Sequence, residues 1–363
     1  MAEQRLDLLL RSIRGQLSWY PGHMVSAQRA MHSRISGCDL VLEVRDARAP
    51  FSSSNPQLEP LVNRRKRIIV LNKTDLISLS DQEKLKKIFA REPLRFGNAT
   101  TQITFTSSIE SVRMQTQTRN EISRLVKLMQ SSVPEREFKT SPMLALVAGV
   151  PNCGKSTLIN ALRVKHMPTE RATAAAKTGA KAGVTRQVSA FSISESPPIR
   201  VFDSPGIFMP TFADSDQDAM RAFCLSATGC VNDERFDPVL IAEFILWQLL
   251  DRRVGDTAAC AAFAGVDQLP RNIHDVLEAC VRRYGIKNDV SFETPLDRDP
   301  VLASVSGNEL LTFSAQSINA AARLFIRAYR AGKFGKFCLD DLDKPPCLSA
   351  LRVHLSRGED GLD

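Results

Sequence analysis

The chain has 363 residues, of which 43% are apolar and 24% are charged, values typical of a folded protein with two domains. No run approaches the roughly 18 apolar residues that a bilayer-crossing helix needs, so the composition argues against a membrane-spanning protein. The formal net charge of +8 favours a polyanionic partner, with nucleic acid ahead of a simple contribution to solubility.

The eight cysteines are scattered along the chain without a C-x-x-C pair. Their spacing suits neither zinc nor a disulfide framework. We therefore expect small buried thiols in a reducing compartment.

Residues 1–17 form the first predicted element, an amphipathic helix. Its apolar face would consist of Leu6, Leu9, Leu10, Ile13 and Leu17. Three arginines elsewhere on the helix make it similar to a mitochondrial presequence, although Glu3 and Asp7 weaken that similarity. The alternative is an N-terminal helix docked on the fold.

Short apolar runs, each ending in a polar, Gly- or Pro-containing signal, dominate residues 18–215. They are "DLVLEVRDARAP", "RIIVLNKTDL", "QITFTSS", "MLALVAGVPN" and "IRVFDSPGI". Such runs are typical of buried parallel strands with functional loops at their carboxyl ends. Helical patterns over 81–91 and 120–130 lie between them, and the polar segment 131–142 is a linker inside the domain. The alternation predicts one α/β domain with a doubly wound, mostly parallel sheet.

The second half of the chain has a different pattern. Helical periodicity replaces the strand signal from about residue 216, as in "DPVLIAEFILWQLLDRR", and predicts a smaller helical domain over 216–340. Residues 341–363 form a tail with no assignable pattern.

The first candidate site is "NKTD" after "RIIVL". Asp75 can accept hydrogen bonds from the N1 and N2 groups of guanine, which adenine cannot donate, while Asn72 and Lys73 would position and cover the ring. In "FTSS", Ser107 and Ser108 would place backbone amides against the guanine oxygen. These residues together predict a guanine-binding site.

The segment "GVPNCGKST" has the G-x-x-x-x-G-K-[ST] spacing of a phosphate-binding loop. It lies between a predicted strand and a predicted helix, which is the context that the motif requires. The loop amides, including those around Asn152, Cys153, Gly154 and Thr157, would surround the phosphates. Lys155 would contact the β and γ oxygens, and Ser156 would bind Mg²⁺.

Two later motifs supply candidate switch residues. Asp203 in "DSPG" would reach the Mg²⁺ shell through water, and the Gly206 N–H would contact the γ-phosphate. Thr185 in "AGVT" is the candidate for the threonine that reaches Mg²⁺ only when the γ-phosphate is bound.

The order of these motifs differs from the usual order, in which the phosphate loop comes first. Here the base motif and its backing loop precede the phosphate loop, and the two switch motifs follow it. Permutation keeps a folded site intact when the old termini are close enough to be joined. The sequence therefore predicts a circularly permuted P-loop GTPase domain that binds GTP and GDP.

Residues 18–340 resemble a known family, the circularly permuted ribosome-assembly GTPases typified by ribosome biogenesis GTPase A and mitochondrial ribosome-associated GTPase 1. The resemblance rests on "WYPGHM", "DARAP", "NKTD", "GVPNCGKSTLIN", "GVT", "DSPG" and "YRAGKFGKF". It implies GTP hydrolysis on the large ribosomal subunit and a helical C-terminal domain that touches rRNA. Ala182 and Ser204 replace the proline and threonine usual in the family, and neither change removes a ligand.

The resemblance also supplies catalytic candidates. Ile207 occupies the place where Ras-type GTPases carry a water-orienting glutamine, so catalysis must come from elsewhere. In this family the substitute is the histidine of "PGHM", here His23, acting together with Lys155, Thr185 and Gly206. A potassium ion would be held partly by Asn152.

Two basic segments are candidate RNA contacts. The first carries Arg323, Arg327, Arg330, Lys333 and Lys336, with aromatic residues expected to pack inward. A solvated helix face is the alternative. The second, residues 163–186, contains one acidic residue and would order against Mg²⁺, GTP and RNA together.

The expected partners are the large ribosomal subunit, its rRNA and its ribosomal proteins. We expect a monomer in the mitochondrial matrix, with peripheral association with the inner membrane, and a bacterial-type cytoplasm is the alternative location. A scaffold that binds GTP and RNA with little turnover is the rival function, because the glutamine is absent. A nucleolar assembly GTPase would carry nuclear targeting and longer basic extensions, which we do not find.

Overall fold

The computed structural model describes eleven segments of the chain. They are residues 2–14, 37–54, 66–91, 95–96, 99–107, 116–132, 142–166, 189–195, 198–203, 215–286 and 313–345. The chain divides into two compact units. The first, called the sheet unit, comprises Trp19–Thr211 and Asp340–Asp363; the second, called the helical unit, comprises Met1–Ser18 and Phe212–Leu339.

The sheet unit is built on seven strands. They are β1 (Leu40–Asp46), β2 (Lys66–Asn72), β3 (Arg95–Phe96), β4 (Ala99–Thr106), β5 (Met143–Ala148), β6 (Ser189–Glu195) and β7 (Pro198–Asp203). Their order in the sheet is β3-β4-β2-β1-β5-β7-β6. The five inner strands are parallel, and the edge strands β3 and β6 are antiparallel to their neighbours.

The helices of this unit follow its strands. A short 3₁₀ helix spans Thr74–Leu76. The α-helices are numbered in chain order after an N-terminal helix, α1 (Ala2–Arg14), that belongs to the helical unit, and those of the sheet unit are α2 (Leu79–Arg91), α3 (Thr116–Ser131) and α4 (Lys155–His166). Every residue of β1 is buried, as a central strand covered on both faces requires. The predicted doubly wound, mostly parallel sheet is therefore confirmed.

The strand order also confirms the circular permutation. The phosphate loop follows β5, which is fifth in the sequence but lies inside the sheet between β1 and β7. Parallel pairing aligns β1 with β2 and with β5, so the carboxyl ends of these strands share one edge. Strand β7 is parallel to β5, so the base motif, the phosphate loop and Asp203 all lie where strands end at that edge.

The helical unit contains six helices among its described residues. They are α1 (Ala2–Arg14), α5 (Asp216–Ala227), α6 (Pro238–Leu250), α7 (Thr257–Ala264), α8 (Ile273–Tyr284) and α9 (Ala315–Arg330). Side chains at the N-caps define where several begin: Ser215 accepts from Asp218 N, and Asp256 accepts from Ala259 N. The helices end at signals such as Gly265 and Gly285, both with left-handed backbone.

The core of the helical unit is aromatic. Phe263, Phe325 and Phe334 form a cluster with ring centroids 4.7 to 6.4 Å apart. The sequence predicted that the aromatic residues of the late basic segment pack inward. The structure agrees, because Phe325, Tyr329, Phe334 and Phe337 are all buried.

Helix α1 packs in this unit against α5 and α6. Its Leu9, Leu10 and Ile13 are buried, and Arg5 contacts Asp251 at 3.2 Å. Helix α1 is therefore docked in the helical unit.

Residues 340–345 lie in the sheet unit. The predicted helical domain included residue 340, and residues 341–345 belong to the tail for which no pattern was assigned. Asp340 is buried there and bonded to the loop after β1. Within the described segments, no helix combines the length and the apolar character needed to cross a membrane.

Candidate functional site

The phosphate loop connects β5 to α4, and two of its glycines are required by close approaches. A Cβ on Gly149 would lie 2.2 Å from Val44 O, and one on Gly154 would lie 2.1 Å from Asn72 Nδ2. Gly154 also has a φ of +97°, and Asn152 between them has a φ of 55°. The loop therefore packs directly against the ends of β1 and β2.

Lys155 begins α4 and is 6% exposed. Its Nζ donates to the carbonyls of Gly149 at 3.2 Å and Val150 at 2.9 Å. The ammonium group is thus held over the loop that the sequence assigns to phosphates. Thr157 follows in the first turn of the same helix and is half-buried.

Ser156 and Asp203 lie close together, as the sequence predicted for two residues near one metal ion. The Ser156 hydroxyl donates to Asp203 Oδ2 at 2.8 Å, and Asp203 is buried at the end of β7. Hydroxyl and carboxylate oxygens are ligands that Mg²⁺ prefers. The donor set therefore fits Mg²⁺, with Asp203 able to act directly or through water.

The base motif is fixed to the phosphate loop by two side chains. Asn72 Nδ2 donates to Cys153 O at 2.9 Å, and Lys73 Nζ donates to Asn152 O at 2.7 Å. Thr106 Oγ1, from the neighbouring β4, donates to Asn72 Oδ1 at 3.2 Å and so orients the amide. Lys73 has a φ of 63°, a conformation that turns the chain sharply where β2 ends.

Asp75 is bonded to the backing loop that follows β4. Ser107 Oγ donates to Asp75 Oδ1 at 2.6 Å, and the Ser107 backbone N–H donates to Glu121 Oε2 at 3.1 Å. The sequence assigned a backbone role to Ser107; in the structure its side chain also orients the carboxylate that would choose the base. Glu121, on α3, was not predicted.

Asp46 is the main residue that sequence reasoning left without a role. It is fully buried where β1 ends, and its carboxylate lies 2.9 Å from Lys73 Nζ. Arg48 donates to both of its oxygens, at 2.9 and 2.8 Å. Burial would raise the pKa of Asp46, but Arg48 and Lys73 outweigh burial and hold it well below its usual range. An acidic residue directly after a buried strand, in "DARAP", was the available signal.

A second buried charge cluster lies within β1 and β2. Glu43 accepts from Arg45 Nε at 2.7 Å and also from Arg67. Burial would raise the pKa of Glu43, but the two arginines together lower it to about 2. The carboxylate is therefore ionised at neutral pH, and it compensates two buried guanidinium groups.

Four predicted site residues lie outside the part of the chain that the structure describes. They are His23, Ser108, Thr185 and Gly206. The structure brings together the remaining predicted nucleotide residues, which surround the carboxyl ends of β2, β5 and β7.

The predicted RNA-binding residues lie in and after α9 of the helical unit. Lys333 and Lys336 are exposed, whereas Arg323 and Arg327 are half-buried. Arg330 differs from the expectation of a phosphate-tracking side chain. Its Nη2 donates to Ser226 O at 2.7 Å and its Nε to Ala227 O at 3.0 Å, while Asp233 lies 2.6 Å away. Arg330 is thus engaged at the C-terminal end of α5, where the last helical carbonyls attract a cation.

The seven cysteines in the described residues are buried, as expected, and none of these seven forms a disulfide. Within those residues, no group of three or more His, Cys, Asp and Glu side chains could hold a metal ion.

The comparisons with known proteins agree with this geometry. A family described as "50S ribosome-binding GTPase" matches residues 145–237. "Mitochondrial ribosome-associated GTPase 1" of Mus musculus is 28% identical over 330 residues, which cover 91% of each chain. "Ribosome biogenesis GTPase A" of Bacillus licheniformis is 32% identical over 219 residues, which cover 60% of this chain and 69% of that protein.

A solved structure described as the GDP-bound structure of TM YlqF has the same fold. It is 21% identical, with a TM-score of 0.50, and the match covers 87% of this chain and 100% of that one. The permuted sheet, the linked base and phosphate motifs and these relatives lead to one conclusion. The chain belongs to the family of circularly permuted, ribosome-associated GTPases that includes mitochondrial ribosome-associated GTPase 1 and ribosome biogenesis GTPase A.

Proposed function

We propose that the protein binds and hydrolyses GTP as an assembly factor of the large ribosomal subunit, and that hydrolysis is coupled to a late maturation step and release. The observation that carries the nucleotide part is the pair of hydrogen bonds from Asn72 and Lys73 to the phosphate-loop carbonyls. These bonds hold the base motif and the phosphate motif at a fixed separation, as the binding of one guanine nucleotide by both motifs requires.

Asp75 is the residue that selects guanine. Its carboxylate, oriented by Ser107, accepts from N1–H and N2–H of the base, and an unpaired carboxylate disfavours adenine. Lys73 covers the ring with its aliphatic part while its ammonium group remains bonded to Asn152 O.

Lys155 and the loop amides hold the phosphates. The Lys155 ammonium group is bonded to two loop carbonyls. When the nucleotide binds, it replaces these hydrogen bonds by bonds to the β and γ oxygens, which are stronger acceptors because they are charged. Ser156 and Asp203 would hold Mg²⁺, which neutralises phosphate charge.

Hydrolysis uses residues that the resemblance assigns. We propose that His23 orients the attacking water in place of the glutamine that Ile207 replaces, with Thr185 and the Gly206 N–H at the γ-phosphate. Asn152 contributes to a potassium site beside the phosphates. Its left-handed backbone turns its carbonyl toward Lys73.

Binding to rRNA rests on the basic surface of the helical unit. Lys333 and Lys336 are the exposed charges of the late segment, and Arg323 and Arg327 add charge along α9. We place the protein in the mitochondrial matrix as a monomer that contacts rRNA and ribosomal proteins and associates peripherally with the inner membrane. The mitochondrial relative supports this location.

The deciding experiment measures GTP turnover with and without purified large subunits at two salt concentrations. We expect slow turnover alone, faster turnover on the subunit, and binding that weakens as salt rises. Hydrolysis that stays negligible on the subunit would favour the rival function, a GTP-binding RNA scaffold.

A charge-matched pair of variants tests the RNA surface. Replacing Arg327, Lys333 and Lys336 by alanine should reduce stimulated turnover and the salt dependence of binding, and leave basal turnover unchanged. The control replaces Lys86, Lys87 and Lys127, three exposed lysines of the sheet unit, and removes the same charge. Equal losses in both variants would show that net charge, and not this surface, drives binding.

The His23→Ala variant tests catalysis separately. It should keep GTP and subunit binding and lose stimulation, because it alters only the transition state. Stimulation equal to that of the wild type would remove His23 from the mechanism.

A further inference from the structure

Asp340 joins the C-terminal segment to the loop after β1. It is 8% exposed, and its Oδ2 accepts from the backbone N–H groups of Phe51 at 2.6 Å and Ser52 at 3.0 Å. Its Oδ1 accepts from Ser52 Oγ at 2.5 Å. One carboxylate therefore satisfies two consecutive backbone donors and a hydroxyl.

The loop that Asp340 holds is bonded internally back to Asp46. Ser53 Oγ donates to Ala49 O at 2.6 Å and accepts from the Asp46 backbone N–H at 3.1 Å. Ser53 N also donates to Ala49 O at 2.8 Å. The loop is thus a compact turn that starts at Asp46. Its position therefore helps to determine the position of Asp46.

Asp46 in turn positions the base motif. Its carboxylate contacts Lys73 Nζ at 2.9 Å, and Ala47 N donates to Asn72 O at 2.8 Å. The same Lys73 Nζ donates to Asn152 O. A displacement of the loop would therefore reach Asn72 and Lys73 directly.

The phosphate end of the site also has supports of its own. Lys155 is held by the carbonyls of Gly149 and Val150, and Ser156 is bonded to Asp203. These three bonds involve neither Asp340 nor the loop that it holds. A change at Asp340 should therefore act on the base end of the nucleotide and spare the phosphate end.

We propose that Asp340 is a positioning residue for guanine binding, which makes the segment after the helical unit part of the support of the nucleotide site. The proposal rests on the guanine-binding function proposed above. Removing the carboxylate takes the acceptor from the buried N–H group of Phe51 and from the partly buried N–H group of Ser52, and the loop shifts to find water or other partners.

The test compares dissociation constants for GDP and for inorganic tripolyphosphate in the full-length protein. Asp340→Ala should weaken GDP binding about tenfold, the equivalent of one charge-assisted hydrogen bond, and leave tripolyphosphate binding unchanged. Asp340→Asn should stay within about twofold of the wild type, because its amide oxygen can still accept from both backbone donors.

The matched control is Asp343→Ala. Asp343 lies three residues further along the same segment and contacts Lys84 at the surface. Its replacement should leave GDP binding unchanged, because surface ion pairs contribute little.

Three results would overturn the proposal. They are an Asp340→Ala variant that binds GDP like the wild type, one that loses GDP and tripolyphosphate affinity equally, and an Asp343→Ala variant with the same loss. If Asp340→Ala does not fold, the Ser52→Ala variant is the deciding test. We expect it to lose about twofold in affinity for GDP and none for tripolyphosphate. An unchanged affinity for GDP would contradict the proposal. A wild type that binds ADP as tightly as GDP would instead refute the proposed function.

Discussion

The Asp75→Asn substitution is expected to change the base that the protein prefers from guanine to xanthine. Ser107 Oγ donates to Asp75 Oδ1 at 2.6 Å. In the variant the amide oxygen takes the place of Oδ1, since only it can accept from Ser107. The NH₂ group then faces the base, where it opposes the guanine amine and matches the xanthine C2 carbonyl.

The magnitude follows from the bonds that are lost. Asp75 offers guanine two hydrogen bonds to a charged acceptor, each contributing about 1.5 to 3 kcal/mol. Losing both costs about 3 to 6 kcal/mol, or roughly a hundredfold to ten-thousandfold in the dissociation constant for GDP. Phosphate contacts are unchanged, so xanthosine diphosphate should recover most of this loss.

The assay is displacement of a fluorescent GDP analogue by GDP and by xanthosine diphosphate. The informative control is the double variant Asp75→Asn, Ser107→Ala. Without the Ser107 donor the side-chain amide can rotate by about 180°, and the preference for xanthine should decrease. An unchanged guanine preference in Asp75→Asn would remove Asp75 from the site. A xanthine preference that survives in the double variant would refute the orienting role of Ser107.

The remaining predictions concern phosphate binding and stability. Lys155→Ala should reduce both nucleotide affinity and turnover, measured by titration and phosphate release, and unchanged values would contradict its assignment. Glu43→Gln should lower the free energy of unfolding by about 3 kcal/mol at neutral pH, because it leaves Arg45 and Arg67 uncompensated. The stabilisation from ionised Glu43 is full above its usual pKa and disappears as pH falls toward 2, so denaturant curves of the two proteins should converge between pH 4.5 and 2. Arg330→Ala should destabilise the helical unit by about 1 to 3 kcal/mol in thermal unfolding, and Lys333→Ala should not.

The sequence was sufficient for the five inner strands of the sheet, because buried parallel strands are short apolar runs, and for the phosphate loop, because its spacing is fixed. The order of the motifs was sufficient for the permutation. Edge strand β6 was not predicted: it pairs antiparallel to β7 and has a mixture of exposed and buried residues, so it lacks the apolar run that marked the others.

The supports of the site could not be predicted, for a different reason. Asp340 and Phe51 are 289 residues apart, and nothing local in either segment indicates the other. Arg330 belonged to a basic pattern that suits RNA, and only the fold shows that the carbonyls of Ser226 and Ala227 lie within its reach. Composition gives the number of charges, but tertiary structure decides which of them are already engaged.

The strand order has a consequence for how the chain is made. Strand β1 pairs with β2, which follows it closely, and with β5, which is synthesised about 100 residues later. At about 5 to 20 residues per second, a translating ribosome would leave one edge of β1 open for roughly 5 to 20 s. That edge belongs to a strand whose residues are all buried in the finished protein, and open apolar edges recruit other strands. During that interval the base-binding half of the sheet exists without the phosphate-binding half, and β1 is exposed to pairing with a strand that is not its own.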